Sequence, residues 1–437
     1  MGESVLAVAQ DAFQYRAGKL HVEDVNVEEL VAAHGTPLYV YSQSSIVSRF
    51  QEFDAAFSGV DRLIAYSVKA NGNVSLLQLL GQHGAGADIV SGGELHRALL
   101  AGVPPERIVF SGVGKTVVEL AAALDAGIYG FNVESEGELR ELANLGETIG
   151  KPAPIALRVN PDVVAKTQHH YTATGHKETK FGIPIEKARE IYRRARDHKG
   201  LHLRGVDVHI GSQILDVKPY QLALQRVLEL VDELRKDGID LEYIDMGGGF
   251  GVSYEQGSET PAREFAEALL PDLKRSGLRL VLEPGRFIMG PSGVLLTRVL
   301  YLKRYGHKTF VITDAGMNDL LRPSHYASYH LIENAEQHEG REELNVDVVG
   351  PICETGDFLA LDRKMHRPEE GELLAIHTTG AYGFSMASTY NARTRPAELL
   401  VNGADHRVIR RRETFDDLVR GEVEFLAENT ESKRKTR

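Results

Sequence analysis

The chain has 437 residues, 42% of them hydrophobic, and carries 62 acidic against 50 basic side chains for a net charge of −12. That length supports a large core and two domains, and the acidic balance argues against a nucleic-acid binder, which needs a basic face. No apolar run reaches membrane-spanning length, and Cys353 is the one cysteine, so intramolecular disulfides are excluded and a cytoplasmic setting is expected.

In chain order, MGESVLAVAQ lacks a basic segment followed by an apolar core, so no secretory signal is expected. "HGTPLYVYS" reads as a strand ahead of the first barrel helix. Eight strand-like runs follow: "RLIAYSVK" from Arg62, "ADIV" from Ala87, "RIVF" from Arg107, "IYGFNV" from Ile128, "IALRVN" from Ile155, "GVDVHI" from Gly205, "YIDMGGG" from Tyr243 and "RLVLEP" from Arg279. Segments of helical periodicity separate them. The clearest begins at Pro219 and puts Leu224, Val227, Leu228, Val231 and Leu234 on one face, with Gly238 as its stop. Beyond about residue 295, strands follow one another through loops. The expected fold is therefore α/β: a (β/α)8 TIM-type barrel over 36–295, then a β-rich domain of 296–437 joined by 1–35. The basic "KRKTR" end reads as a solvated tail.

Right-handed crossovers place every barrel strand's C-terminal end on one rim, where such barrels keep their active sites. Lys69, Asp88, Ser111, Asn132, Arg158, His209, Gly247–Gly249, Glu283 and Arg286 fall at those ends. A lysine closing an apolar strand is ordinarily a snorkelling side chain, but this company favours a functional one. "SGVGKT" resembles the end of a phosphate-binding P-loop, yet position 109 is Val109 where that motif needs glycine. "GGGFG" is no dinucleotide fingerprint, since Val252 replaces its last glycine. It is either a tight turn or a set of bare amides able to cradle a phosphate. "LEPGRFI" offers either a local ion pair or a rim carboxylate for a ring nitrogen beside an arginine for an anion. Cys353, in "VVGPICETGD", is either a small hydrophobe or a catalyst, and Tyr382, between glycines, either a turn or a ligand contact. His169, His170 and His176 match no metal template, and no metal is expected. A lysine, bare amides, an acid and a histidine at one rim together fit pyridoxal phosphate: a Schiff base on the lysine, a cradle for the phosphate, and a carboxylate for the pyridine nitrogen.

With "YSVKAN", "GADIVSGGEL", "RVNPDV", "KFGI", "HIGSQILD", "DMGGGFG", "EPGR", "MNDLLRPSHY", "GPICETGD" and "GAYGFSM", the chain resembles the alanine-racemase-type pyridoxal-phosphate enzymes, and among them the diaminopimelate decarboxylases, over nearly its whole length. That resemblance implies a barrel plus a β-domain. It implies that Lys69 carries the cofactor, with Asp88 among the residues around it, and that His209 stacks on its ring. Ser212, Gly248, Gly249 and the run Glu283, Pro284, Gly285 and Arg286 would bind it, with Glu283 at the ring nitrogen. Tyr382 would touch cofactor and substrate. Arg286, Arg322, Tyr326 and Glu354 would hold the distal amino-acid end of the substrate. Cys353 would protonate the carbon that loses CO2, and Cys353 and Glu354 would come from the partner subunit of a homodimer with shared sites. Neither nucleic acid nor membrane is an expected partner.

An acid at 283 favours a decarboxylase, because an arginine there would leave the ring nitrogen unprotonated, as suits a racemase. Sister decarboxylases of ornithine, arginine or carboxynorspermidine act on substrates with no distal carboxylate, for which Arg322 would be superfluous. A non-catalytic regulatory relative could dispense with Lys69, Cys353 and Glu283, and all three are present.

Overall fold

The computed structural model describes residues 12–163, 180–255 and 259–426. His169, His170, His176 and the "KRKTR" tail lie outside the described residues. The described chain divides into two compact units: 45–291, and 12–44 with 292–426.

The first unit is a closed barrel. Its strands are Arg62–Ser67, Gly86–Ile89, Ile108–Phe110, Gly130–Val133, Ala153–Asn160, Leu201–Val208, Tyr243–Asp245 and Arg279–Leu282, here barrel strands 1 to 8. Each pairs in parallel with the next, strand 8 pairs with strand 1 through Leu282 and Ile64, and strand 4 with strand 5 through Phe131 and Ile155. A two-residue strand, Ile183–Pro184, adds to strand 5. Near-continuous burial along these strands is what a parallel sheet covered on both faces requires. Leu63, Ala65, Val109, Tyr129, Ala156, Tyr243 and Val281 form one apolar cluster.

Short polar residues start the intervening helices just after the strand ends. Asn73, Ser91, Thr116 and Ser135 each accept a backbone N–H in the first turn of the helices Val74–Gln82, Gly92–Leu100, Val117–Ala126 and Glu136–Ile149. The helix anticipated at Pro219 spans Lys218–Lys236. It buries Tyr220, Ala223, Leu224, Val227, Leu230, Val231 and Leu234, so Leu230 lies deeper on its inner face than the expected Leu228, which is half-buried.

In the second unit a mixed sheet is centred on the long strand Gly293–Tyr305. The strand Leu38–Ser42, expected inside the barrel domain, pairs antiparallel with Gly293–Tyr305 and parallel with Ala397–Asn402. All five of its residues are buried, and Leu38 and Val40 join a core with Val294, Leu296, Leu399 and Val401. A buried two-sided strand goes where unpaired edges await it. The unit boundary therefore falls at 45 rather than 36, and at 291 rather than 295.

Candidate active site

Barrel strand 1 stops at Ser67, and Lys69 stands in the 3-10 turn Val68–Ala70 rather than in the strand itself. Its Nζ donates to Asp88 Oδ2 at 2.7 Å; the Lys69 side chain is 36% exposed and that of Asp88 fully buried. Ser67 Oγ donates to the same oxygen at 2.5 Å. Asp88 Oδ1 is buried and makes no hydrogen bond among the described residues. On the helix that follows the strand bearing Asp88, Glu94 takes the Val90 N–H at 2.8 Å, and burial nevertheless pushes its carboxyl up to about 7.

Strand 8 delivers Glu283, whose Oε1 accepts Ser111 Oγ at 3.1 Å and Asn132 Nδ2 at 3.2 Å. Arg286 turns elsewhere, to Tyr254 Oη at 2.5 Å and Ser212 Oγ at 3.2 Å. Asn132 also donates to Asp245 Oδ2 at 3.1 Å, and Asp207, Asp245 and Glu283 offer oxygens within 4.8 Å of one another, all buried. Burial first, and then each other's negative charge, hold Asp207 and Glu283 well above the usual carboxylate range and Asp245 up to about 8. The cluster therefore keeps protons at neutral pH. Its links are Asn132, the Gly247 N–H on Asp245 Oδ1 at 2.8 Å, and Arg158 Nε 3.9 Å from Asp207.

His209 follows strand 6. Its Nδ1 accepts the Gly248 N–H at 3.3 Å, which puts the ring hydrogen on Nε2. Burial, then the charges of Arg158 and Lys69, hold its pKa well below the usual value, so the ring is neutral. A Cβ on Gly247 would lie 2.7 Å from His209 Nδ1, and one on Gly248 2.2 Å from Glu283 O. These glycines let strand 7's turn press against both neighbours. The expected amide cradle is narrower than the motif suggests: the N–H groups of Gly247 and Gly248 already serve Asp245 and His209, leaving Gly249 in that turn. Gly249 has φ +92°, and a Cβ there would meet Gly211 O at 2.2 Å. In the "EPGR" run, Pro284 O accepts the Ser67 N–H at 3.2 Å, and a Cβ on Gly285 would lie 2.8 Å from Ser67 Cβ. A lysine, a buried acid with a spare oxygen, a neutral imidazole, side-chain-free turns and an Arg–Ser–Tyr group fit a phosphorylated aromatic aldehyde. The P-loop look-alike has a structural use instead: Lys115 Nζ binds Gly112 O, Asn132 O and Glu138 Oε1 at 2.7–2.8 Å.

The second unit carries the remaining predicted residues. Arg322 opens the one-turn helix Arg322–Tyr326, is 3% exposed, and contacts His330 Nε2 at 3.0 Å and Ser328 Oγ at 3.3 Å. Tyr326 is half-buried beside His325, with ring centroids 4.5 Å apart. Tyr382 has φ +57° between its two glycines. Cys353 and Glu354 are exposed: the Cys353 N–H donates to Asn391 Oδ1 at 2.9 Å, and Glu354 hydrogen-bonds the Tyr390 hydroxyl. Their loop is anchored by buried Asp357, which accepts the N–H groups of Met317 and Ile352, each at 2.6 Å. Sequence reading gave no role to Asp357, Tyr254, Ser328 or His330. Ser111 and Asn132 were visible at strand ends, but not as the pair that holds Glu283.

The family described as "Pyridoxal-dependent decarboxylase, pyridoxal binding domain" matches residues 43–290. The chain is 50% identical over 407 residues to a diaminopimelate decarboxylase of Aquifex aeolicus, covering 93% of this chain and 96% of that one. It is 46% identical over 412 residues to the enzyme of the same name from Pseudomonas aeruginosa, covering 94% and 99%. The crystal structure of diaminopimelate decarboxylase from Helicobacter pylori complexed with L-lysine superposes with a TM-score of 0.88 at 44% identity, covering 91% of this chain and all of that one. With a matching barrel family, near-complete relatives and a near-identical fold, this chain belongs to the diaminopimelate decarboxylase family of pyridoxal-dependent decarboxylases.

Proposed function

We propose that this chain decarboxylates meso-2,6-diaminopimelate to L-lysine and CO2, the last step of lysine biosynthesis, using pyridoxal 5'-phosphate held at the barrel rim. The observation that carries the reading is the pairing of Lys69 with buried Asp88 on the rim that also holds Glu283. The test is CO2 release from purified protein incubated separately with meso-diaminopimelate, ornithine and arginine. Release from diaminopimelate alone is expected, and release from ornithine or arginine instead would overturn the reading. The 44–50% identities support diaminopimelate over the sister decarboxylases and over a non-catalytic relative.

Pyridoxal phosphate supplies an aldehyde for a lysine and an electron-withdrawing ring that stabilises the carbanion left by departing CO2. The chain's own groups do the rest. Asp88 fixes the Lys69 amine, and its carboxylate, 2.7 Å from Nζ, would take the proton that the ammonium must lose to act as nucleophile. His209, neutral and pinned through Nδ1, offers a flat face for an aromatic ring. Gly249, Gly285, Ser212 and Arg286 are the phosphate ligands. Glu283 presents its carboxyl to the ring nitrogen, with Oε1 steadied by Ser111 and Asn132. A cation at that nitrogen would draw down its raised pKa and favour the carboxylate. Tyr382 meets cofactor and substrate. Arg322, Tyr326 and Glu354 hold the distal amino-acid end, and Cys353 Sγ delivers a proton to the carbon that loses CO2. Cys353 and Glu354 act in the partner's site of a cytoplasmic homodimer. No described helix is long and apolar enough to cross a membrane.

Two substitutions test these assignments. Glu283→Gln is expected to lower kcat while leaving the cofactor bound, because an amide brings no negative charge to a ring nitrogen. Wild-type kcat would assign that nitrogen another partner. Arg322→Lys is expected to weaken substrate binding more than cofactor binding, since a point charge does not replace a planar fork. One lost charge-assisted hydrogen bond costs about 1.5–3 kcal/mol, and unchanged kcat/KM for diaminopimelate would place the distal carboxylate elsewhere.

A further inference from the structure

His330 is a fully buried histidine that the proposed chemistry does not use. Its Nδ1 lies 2.9 Å from the His377 carbonyl oxygen and its Nε2 3.0 Å from Arg322 Nη1. A carbonyl only accepts and a guanidinium only donates. The two contacts therefore fix one state of the ring: hydrogen on Nδ1, lone pair on Nε2, no charge. Its backbone is fixed as well. The His330 carbonyl accepts Arg363 Nη1 at 2.5 Å, with that guanidinium 3.9 Å over the Tyr329 ring, and the neighbouring Leu331 O accepts the His377 N–H at 2.9 Å. The carbonyl that anchors the ring belongs to the residue before Thr378. Thr378 has φ +58°, a costly conformation for a β-branched residue, and the same loop runs on to Tyr382 at φ +57°.

We propose that His330 is a positioning residue of the substrate-recognition site: a neutral imidazole that aims Arg322 at a carboxylate and ties it to the loop bearing Tyr382. The inference rests on the reading of Arg322 given above. Its physical content is the choice of a neutral acceptor. A carboxylate in the place of His330 would also orient the guanidinium, but would compete with the substrate for its positive charge. An imidazole lone pair orients Nη1 without itself opposing that charge. Ser328 Oγ, 3.3 Å from Nη2, adds no competing charge either. His330 thus sets the direction of the fork, and with it the selection of a substrate with an acidic group at its far end.

The test uses the cofactor-loaded enzyme and three variants, His330→Leu, His330→Gln and Arg322→Lys, with initial rates against meso-diaminopimelate. His330→Leu removes the acceptor; KM is expected to rise about tenfold, the worth of one hydrogen bond to a charged group, with kcat nearly unchanged. His330→Gln brings an amide oxygen that can accept from Arg322, and is expected to bring KM most of the way back. A merely structural role would lower thermal stability and kcat in both variants without that recovery. Independently, nitrogen-15 NMR of histidine-labelled protein should find His330 as the Nδ1–H tautomer, and an Nε2–H or doubly protonated ring would overturn the proposal. If Arg322→Lys raises KM while His330→Leu does not, His330 has no positioning role and the reading of Arg322 stands. If Arg322→Lys leaves KM unchanged, both fall together.

Discussion

Lys69→Ala is expected to yield a folded protein without the visible absorbance of a lysine-bound cofactor and with activity lower by about 10⁴-fold or more, the scale seen when a covalent catalyst is removed. The argument is positional. Lys69 Nζ is held at 2.7 Å by a carboxylate with no exposure. Of the other described lysines that follow strand ends, Lys115 is committed to two carbonyls and Glu138, and Lys180 is exposed with its Nζ 5.2 Å from the Phe181 ring. Borohydride reduction of the wild-type protein, followed by peptide mapping, should place the cofactor on the peptide containing Lys69. A reducible linkage that survives in Lys69→Ala would sink the assignment. Removing the ammonium leaves Asp88 with Ser67 Oγ on one oxygen and no partner among the described residues on the other, so thermal unfolding of the variant belongs in the same experiment to separate lost chemistry from lost fold.

Cys353→Ala mixed with Lys69→Ala is expected to recover roughly a quarter of wild-type activity, a value that follows from two-fold symmetry. Each mutant homodimer has two defective sites if a site takes Lys69 from one subunit and Cys353 from the other. A heterodimer has one site with both defects and one with neither, and half the dimers are mixed when subunits exchange freely at equal amounts. Exchange has to be demonstrated first, by denaturing and refolding the two variants together. The exposure of Cys353 and Glu354, on a loop held by the Asp357 carboxylate and by the Cys353 backbone N–H, is consistent with a thiol that serves another surface. If exchange is verified and activity stays at the level of the two variants alone, Cys353 serves its own subunit or has no catalytic part.

What the sequence made legible was whatever depends on local pattern. All eight barrel strands follow from apolar runs closed by turn residues, and the rim follows from the handedness of the crossovers. Lys69, Asp88, His209 and Glu283 group together in the sequence because each stands at a strand end. Three things were not legible. The strand Leu38–Ser42 carries no sign of which unit it completes, since partner choice is made by edges hundreds of residues away. The amides of Gly247 and Gly248 look as free as that of Gly249 until Asp245 and His209 are seen to take them. His330 and Tyr254 belong to no motif: their importance comes from being beside Arg322 and Arg286, a relation of space rather than spacing.

The placement of Leu38–Ser42 also sets a schedule for biosynthesis. Every strand of the barrel lies between Arg62 and Leu282, so that unit has all its partners soon after its last strand leaves the ribosome. Leu38, however, pairs with Leu296 on one side and Ala397 on the other. At about 5–20 residues per second, a strand made early waits roughly 20–70 s for its final neighbour. Until Leu296 emerges both edges of this buried segment lack partners, and until Ala397 emerges one still does, the condition under which chains aggregate or recruit a chaperone. A nascent chain truncated before Ala397 can thus complete its barrel and still expose this segment, which makes the interval before the last strands emerge the vulnerable stage of its synthesis.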